Sequence, residues 1–387
     1  LNYTSGTTGR PKGVVYHHRG AYLMTMGTPI SWRMTLQPVF MAIVPLFHCN
    51  GWNHTWMMPL LGGTVVGCRD ISAKAIYDGI ADERVSHFGG APIVLNMIVN
   101  AEDGERRNFD HQVEVFTAGA PPAPATLAAI GQLGFNVTQV YGLTETYGHV
   151  VESLWNPAWD SLPAEEQSAR KARQGIAMPM MDLTTVVDDT GQQIAMDGVT
   201  QGEIVMRGNS VMKGYYKNPE ATQKAFAGGF FHSEDIAIQH PDGMMQIADR
   251  MKDIIITAGG KNVTPSEWEN ELKFSPYVTD AVVVGDQKPY LVCLIMIDLD
   301  TVEKFAQDSD IPFSNYASLT RAVEVRKLIQ AEVDKVNGKF ARVEQIKKFF
   351  LIDVQLTAED EELTPTMKLK RKLVERKYAA QIEAMYE

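Results

Sequence analysis

Residues 4–12 combine hydroxyls, glycines and a lysine in one short stretch. Bare backbone N–H groups, hydroxyls and a cation together suit a polyphosphate. The spacing differs from that of the Walker loop, which has four residues between its glycines and a Lys-Ser/Thr pair on a helix. The apolar flank at residues 13–16 favours a loop anchored on a strand over a freely flexible one. The candidate ligands are Thr4, Ser5, Gly6, Thr7, Thr8, Gly9 and Lys12.

A second group with chemical potential, residues 141–146, reads Tyr-Gly-Leu-Thr-Glu-Thr and directly follows the apolar run 137–140. A strand that ends there would place the group at the carboxyl edge of a sheet, where α/β folds bind ligands. Mg²⁺ takes one or two protein oxygens together with phosphate and water, so Glu145 is sufficient as a protein ligand. Taken alone, the segment is also compatible with a surface turn that carries a solvated glutamate.

The elements around these groups predict an α/β protein with two domains. Alternating apolar runs and helical patterns over residues 12–150 indicate βαβ units and a mostly parallel sheet, and residues 183–214 are β-rich. We predict a large domain over 1–251 and a small α+β domain over 252–387. In the small domain we expect Thr264 and Glu267 to form a capping box, and residues 316–336 to form one long amphipathic helix.

Composition limits the partners of this chain. Its 387 residues are 45% apolar, with a net charge of -11, so we expect a local phosphate site and no nucleic-acid partner. Three scattered cysteines indicate neither a disulfide framework nor a zinc site. The longest apolar runs are too short to cross a bilayer. We expect a cytoplasmic protein. The chain opens inside a strand without an initiator methionine, so we also expect its N-terminal part to be missing.

Residues 4–14 and 141–146 resemble the motifs of the acyl-adenylate-forming enzymes, which include acyl-CoA ligases, peptide-synthetase adenylation domains and luciferases. The first two-thirds is most similar to short- and medium-chain and methylmercaptopropionate–CoA ligases. The tail from about Lys252 is more similar to long-chain fatty acyl-CoA ligases. The resemblance implies ATP, Mg²⁺ and CoA as ligands and a carboxylic acid as substrate, with no redox cofactor. A homodimer is compatible with it.

The resemblance also assigns roles in nucleotide binding. It places Tyr141 against adenine, Thr144 on the α-phosphate and Glu145 on Mg²⁺, with Thr4 as a second metal-site residue. It implies that Asp235 and Arg250 bind the ribose, although Glu234 stands where the family usually has glycine. The remaining residues implied at the nucleotide are Gly142 and the adenine loop Gly119, Ala120 and Pro121.

Four further roles rest on the resemblance. Lys252 is implied to be the hinge about which the small domain rotates, and the turn Gly259–Gly260 to line the CoA tunnel. Lys368 is implied to bridge the substrate carboxylate and the α-phosphate, although Met367 replaces the usual glycine before it and a solvated basic helix start is the alternative. His48 and Trp52 are implied to border the acyl pocket. A packed core histidine is the alternative for His48.

The leading hypothesis is an AMP-forming acid–thiol ligase that acts in fatty acid metabolism and favours short- or medium-chain or methylthio acids. A long-chain fatty acyl-CoA ligase is an alternative, as is an adenylation domain that charges a carrier protein. An inactive truncated nucleotide-binding protein is a third alternative, which the absent N-terminal stretch and Glu234 favour.

Overall fold

The computed structural model describes residues 1–4, 11–118, 124–251, 253–356, 360, 362–363 and 369–387. The described residues fall into two compact units, which divide between Ala248 and Asp249. The assignment of an AMP-binding role to one domain and a lysine-carrying role to the other stays a prediction.

A seven-stranded sheet forms the centre of the first unit, with strand order β4-β3-β5-β6-β7-β8-β9. Five of its strands, β3 to β7, run parallel, and β8 and β9 are antiparallel additions at one side. The elements of this part are β1 (Asn2–Tyr3), β2 (Gly13–Val15), α1 (His18–Ser31), β3 (Val39–Ala42), α2 (Cys49–Trp52), α3 (His54–Leu61), β4 (Thr64–Gly67), α4 (Ala73–Glu83), β5 (His87–Gly90), α5 (Pro92–Val99), β6 (Val113–Thr117), α6 (Pro124–Gln132), β7 (Phe135–Leu143), β8 (Gly148–Glu152), α7 (Ala164–Lys171) and β9 (Ile176–Ala177).

This sheet confirms the α/β fold that the alternating pattern predicts. Strands β5 and β6 are almost fully buried, as expected for parallel strands covered on both faces. Helices α4, α5 and α6 pack on the sheet in one apolar cluster that includes Phe88 and Ile130. The carboxyl ends of β5, β6 and β7 therefore lie side by side at one edge.

The rest of the first unit is β-rich, as predicted. Strands β10, β11, β13 and β14 form one antiparallel sheet in that order, and β12 pairs with β2. The pairing of β12 with β2 brings Tyr215 beside Val14, next to the start of the chain. The elements are β10 (Met181–Val187), β11 (Gln201–Gly208), β12 (Gly214–Tyr215), α8 (Pro219–Ala225), β13 (Phe231–Gln239) and β14 (Met245–Arg250).

The second unit is an α+β body around a three-stranded sheet of order β17-β18-β19. Its apolar core contains Trp268, Leu319 and Ile329, among others. The elements are β15 (Ile255–Ile256), β16 (Asn262–Val263), α9 (Pro265–Leu272), β17 (Val278–Val284), β18 (Leu291–Ile297), α10 (Leu299–Asp308), α11 (Tyr316–Arg321), α12 (Val323–Asn337), β19 (Ile346–Leu351), α13 (Arg371–Lys377) and α14 (Ala379–Ala384).

Two local predictions in this unit are wrong. The expected helix over 316–336 is broken at Ala322, which has an extended backbone with ψ 133°. Leu319 and Val325 are both fully buried, but a continuous helix would place them about 120° apart around its axis, so the break lets both face one core. Thr264 does precede α9, but its side chain makes no capping hydrogen bond.

Among the residues that the structure describes, no helix is long and apolar enough to cross a membrane. The same residues contain no group of three or more His, Cys, Asp or Glu side chains arranged to hold a metal ion.

Candidate nucleotide and acyl site

The Tyr141–Glu145 segment lies where β7 ends and the chain turns into β8. Gly142 is required there, because a Cβ at this position would lie 1.9 Å from the carbonyl oxygen of Gly148. The Thr146 hydroxyl holds the turn by accepting from the Leu143 N–H at 2.9 Å and donating to the Gly148 carbonyl at 2.6 Å. The turn thus has a fixed backbone, with Thr144 and Glu145 at its start.

Tyr141 and Asp235 meet in the structure, although 94 positions separate them in the sequence. The Tyr141 hydroxyl donates a hydrogen bond of 2.7 Å to Asp235 Oδ2. Both residues are buried, and the Asp235 N–H also donates to the Ser233 hydroxyl at 3.1 Å. The structure therefore joins the two residues that the resemblance assigns to adenine and ribose.

Glu234, the departure from the family pattern, has a positive φ of 59°. This left-handed region favours glycine, which explains why the family usually has glycine at this position. The carboxylate of Glu234 lies 3.6 Å from Lys224 Nζ in an exposed pair. The Glu234 N–H donates to Glu203 Oε1 at 2.9 Å, which supports the strained backbone.

Glu145 is held by Tyr215, whose hydroxyl donates to Glu145 Oε1 at 2.9 Å. Burial and the charge of Glu145 raise the pKa of Tyr215, so the phenol keeps its proton and remains a donor. The ammonium of Lys12 lies over the Tyr215 ring, 4.7 Å from its centroid. One tyrosine thus brings the predicted phosphate-binding lysine and the predicted magnesium ligand together.

The backbone of the same turn is fixed by Tyr16, which donates a hydrogen bond of 2.7 Å to the Thr144 carbonyl. Burial raises the pKa of Tyr16, so this phenol also stays protonated. Thr4 lies at the start of the phosphate-loop motif, and its N–H donates to the Lys12 carbonyl at 3.0 Å. This bond joins the two ends of the motif. Ser5, Gly6, Thr7, Thr8 and Gly9 lie outside the described residues, as do Gly119, Ala120 and Pro121.

The predicted acyl-pocket residues lie in an unusual turn. Residues 49–53 all have positive φ values between 46° and 67°, so this segment is a left-handed turn in which Gly51 is the sole glycine. Left-handed backbone costs a non-glycine residue roughly 1–2 kcal/mol, so the surrounding packing must hold this turn. The turn buries the Trp52 indole against the backbone of Gly89 in β5, where a Cβ would lie 3.0 Å from the ring.

His48 is the residue that leads into this turn. Its ring centroid lies 6.5 Å from that of Trp52, and the side chain is half-buried. Trp52 belongs to one apolar cluster with Phe116 and Val140. Since Val140 directly precedes Tyr141, the predicted acyl-pocket residues and the predicted nucleotide segment share one packed region.

Three predicted site residues lie wholly or partly outside the described part of the structure. Lys252 and Lys368 lie outside the described residues, and Arg250 belongs to β14 without a described side chain. Gly259 and Gly260 form the turn between β15 and β16, in which the Gly260 N–H donates to the Thr257 carbonyl at 2.8 Å. Gly260 has a φ of 76°, which explains a glycine there.

The ends of the segment that contains Lys368 are firmly anchored. Leu363 and Leu369 form an antiparallel bridge, and the Lys370 N–H donates to the Glu362 carbonyl at 2.7 Å. Arg371, three positions after Lys368, pairs with the buried Glu269 at 2.6 Å. Burial alone would lower the pKa of Arg371, but the carboxylates of Glu269 and Asp253 raise it, so the guanidinium stays charged.

Sequence reasoning missed three residues that shape this region: Tyr16, Tyr215 and Gly89. Tyr215 lies 70 positions from Glu145, and no spacing rule links the two. Gly89 stands in the sequence His-Phe-Gly-Gly, where the paired glycines could have signalled a close approach by a large side chain.

Comparison with known proteins agrees with this fold. Residues 1–216 match the AMP-binding enzyme family, and residues 252–387 match the AMP-binding enzyme C-terminal domain. The chain therefore belongs to the AMP-binding enzyme family, the class of adenylate-forming enzymes that its motifs resemble.

Two similar relatives are named for CoA ligation of short acids. The chain is 50% identical over 287 residues to a peroxisomal acetate/butyrate–CoA ligase of Arabidopsis thaliana. It is 49% identical over 287 residues to an acetate–CoA ligase of Humulus lupulus. Each match covers 74% of this chain and 50% of the relative, so the chain spans about half the length of the curated relatives it matches.

Solved structures support the fold. The o-succinylbenzoate–CoA synthetase of Bacillus subtilis, solved with ATP and magnesium, superposes with a TM-score of 0.72 over 96% of this chain and 68% of that one, at 24% identity. The ATP-bound MatB protein of Rhodopseudomonas palustris superposes with a TM-score of 0.71 over 97% of this chain and 67% of that one, at 23% identity. At these identities the likeness establishes the fold alone.

Proposed function

We propose that this chain carries the adenylating machinery of an ATP-dependent carboxylic acid–CoA ligase that forms AMP. The observation that carries the proposal is the hydrogen bond between Tyr141 and Asp235, because it joins two distant residues that the family uses on one nucleoside. Family membership and relatives named as CoA ligases support it further.

The proposed reaction has two halves. In the first, a carboxylate oxygen of the acid attacks the α-phosphorus of ATP, and pyrophosphate leaves. In the second, the thiolate of CoA attacks the carbonyl carbon of the acyl-adenylate, and AMP leaves. The protein contributes by positioning the reacting groups and by stabilising the charge that develops at phosphorus.

In this proposal the predicted large domain, residues 1–251, binds the nucleotide. Tyr141 packs against adenine, and Asp235 accepts hydrogen bonds from the ribose hydroxyls. Thr144 and Lys12 contact the phosphates. The further residues assigned to the nucleotide are Thr4, Ser5, Gly6, Thr7, Thr8, Gly9, Gly119, Ala120, Pro121, Gly142 and Arg250.

Glu145 suits the Mg²⁺ that the family implies. Its carboxylate supplies the hard oxygen ligands that Mg²⁺ takes, and its Oε1 accepts a hydrogen bond from Tyr215. Thr4 would lie on the same ion. When bound, Mg²⁺ would neutralise phosphate charge, and the hydrogen bond from Tyr215 would orient the Glu145 carboxylate that holds it.

We propose that Trp52 closes the acyl pocket and that His48 borders it. The indole covers the backbone of Gly89, so it occupies space that a longer acyl chain would need. This contact supports a preference for short- to medium-chain acids. The acetate and butyrate in the relatives' names agree with that preference.

The small domain has proposed roles in both half-reactions. Lys368 bridges the substrate carboxylate and the α-phosphate during adenylation. Lys252 is the hinge residue for the change to thioester formation, in which Gly259 and Gly260 line the path of CoA. The anchored ends of the Lys368 segment support a defined role for this lysine.

The cytoplasmic location, the homodimer and the role in fatty acid metabolism stay predictions. One relative is named peroxisomal, which favours testing both compartments. A long-chain ligase, a carrier-protein adenylation domain and an inactive nucleotide-binding protein are the competing functions, since the chain spans half of its relatives.

ATP–pyrophosphate exchange with a panel of acids, with and without CoA, tests the proposal. We expect exchange with acetate, butyrate and methylmercaptopropionate, and CoA-dependent release of AMP. Exchange without any CoA-dependent product would indicate the adenylation domain instead. The proposal fails if no acid supports exchange although the chain binds AMP.

A further inference from the structure

Strand β8 contains a bulge directly opposite the nucleotide segment. Tyr141 pairs with Val151, whereas Gly142 pairs with His149, so Val150 has no partner in β7. In a regular strand, residues three apart face opposite sides of the sheet. One extra residue changes this, so His149 and Glu152 point to the same side, and bulges near active sites commonly re-aim side chains in this way.

His149 and Glu152 form a deeply buried pair on that side. His149 Nε2 lies 3.1 Å from Glu152 Oε1, and the side chains are 3% and 1% exposed. Among the described residues, none of the four polar atoms His149 Nδ1, His149 Nε2, Glu152 Oε1 and Glu152 Oε2 makes a hydrogen bond, so the two side chains touch without a well-aligned bond. A buried polar pair with unsatisfied atoms is costly compared with apolar side chains of similar size. Its presence therefore points to a contribution other than stability.

The pair lies between the two halves of the candidate site. On one side, a Cβ at Gly142 would lie 2.5 Å from the His149 Cα, so the backbones of β7 and β8 approach each other closely here. On the other side, the His149 ring packs edge-to-face on Phe116 with centroids 4.9 Å apart. Phe116 belongs to the apolar cluster of Trp52.

We propose that His149 and Glu152 are a positioning pair for the adenylation site. The pair fixes the bulge in β8, the bulge fixes Gly142, and Gly142 sets the place of Tyr141, Thr144 and Glu145 relative to the acyl pocket. Neither residue touches the substrate in this assignment. The inference rests on the proposed function, because the segment it positions is the one assigned to the nucleotide.

The test uses the double variant His149→Leu/Glu152→Leu. Replacing a buried polar pair with apolar side chains of similar size is often neutral for stability, so we expect the variant to fold with an unchanged Tm. We expect amide hydrogen exchange in residues 141–152 to accelerate at least tenfold and the Kd for AMP to rise about tenfold. In ATP–pyrophosphate exchange, KM for ATP should rise while KM for the acid stays within twofold.

His87→Leu is the matched control. His87 is also buried and contacts the same aromatic group through Trp32, but it lies on β5. The His87→Leu variant should leave unchanged both the Kd for AMP and the rate of amide hydrogen exchange in residues 141–152. A general packing defect would instead raise the Kd for AMP and the rate of amide hydrogen exchange in the control as well as in the double variant. That result would overturn the proposal.

The single variants Glu152→Gln and Glu152→Leu keep the proposal testable if the double variant does not fold. Glutamine keeps the size and polarity of Glu152 beside His149 and should preserve AMP affinity, whereas leucine should weaken it. Equal AMP affinity and equal exchange in folded variants that lack the pair would overturn the proposal. If the wild type binds no AMP, the proposed function fails, and hydrogen exchange alone still decides whether the pair fixes the bulge.

Discussion

Asp235 accepts a short hydrogen bond from the hydroxyl of Tyr141, with 2.7 Å between the two oxygens and both side chains buried. The bond orients the carboxylate that we propose accepts hydrogen bonds from the ribose hydroxyls. We predict that Tyr141→Phe, which removes only the hydroxyl, raises KM for ATP about tenfold, since a hydrogen bond to a charged group contributes roughly 1.5 kcal/mol. KM for the acid should not change.

Steady-state kinetics with both substrates varied checks this prediction. Tyr77→Phe is the control, because Tyr77 is equally buried and its hydroxyl lies 3.5 Å from the Ile98 carbonyl, away from the site. An equal rise in both KM values for Tyr141→Phe would show that the hydroxyl supports the whole fold rather than the nucleotide.

Lys368 should matter for adenylation alone. If it contacts the carboxylate and the α-phosphate only in the adenylating pose, Lys368→Ala should slow the first half-reaction on the order of 10²–10³-fold. Thioester formation from synthetic acyl-adenylate should largely survive. Lys372→Ala is the control, since this neighbouring lysine in α13 is exposed. Equal loss of both half-reactions would contradict the role.

Lys252 should separate the half-reactions in the opposite direction. Proline at this position fixes φ and stiffens the predicted hinge. We expect Lys252→Pro to retain ATP–pyrophosphate exchange and to lose thioester formation. The measurement is the rate of each half-reaction in the same preparation. Unchanged rates in both would place the pivot elsewhere in the chain.

Two buried histidines should make the stability of the fold depend on pH. Burial lowers the pKa of His54 to about 3 and that of His87 to about 4. The unfolded chain binds protons below about pH 6.5, whereas the folded chain does not until these lower values. The contribution of the two neutral histidines to the free energy of unfolding is therefore complete above pH 6.5. It is lost as the pH falls towards 4 for His87 and towards 3 for His54.

Urea unfolding at pH 7 and pH 5 measures this effect. From the lowered pKa of His54, this residue alone should reduce the free energy of unfolding by about 2 kcal/mol between pH 7 and pH 5. His54→Phe should remove that share, because the ring already stacks on Phe40 at 4.1 Å and phenylalanine does not titrate. An equally steep loss in the variant would assign the pH dependence to other groups.

The sequence predicts the strands of the central sheet well because each strand is recognised from a few consecutive residues. Strands β5, β6 and β7 are short apolar runs separated by helical patterns, and each lies within a few residues of its expected position. The broken helix at Ala322 could not be predicted in this way. Both stripes, around Leu319 and around Val325, fit a helical period, and only the shared core shows that they must face one direction.

The candidate site shows the same difference between what neighbouring residues predict and what distant pairing determines. Tyr141, Asp235 and Glu145 are identifiable from their motifs, whereas the contacts that orient them depend on strand pairing across the chain. Tyr215 reaches Glu145 because β12 pairs with β2, a register that depends on the whole β-rich region. The bulge at Val150 has no signal in a short apolar strand and appears only in the pairing with β7.

Trp52 should set the chain length of the acid. Its indole covers Gly89, so Trp52→Ala opens space that additional methylenes can occupy. Each methylene buried there contributes about 0.8 kcal/mol, or roughly fourfold in kcat/KM. The wild type should prefer short to medium acids, including thioether acids, over palmitate, and the variant should shift the optimum by two or more carbons. AMP release with CoA across a chain-length series measures both, with Trp159→Ala as the control on a distant turn. A wild-type efficiency that rises steadily to palmitate would contradict this role and would favour the long-chain ligases that the tail resembles.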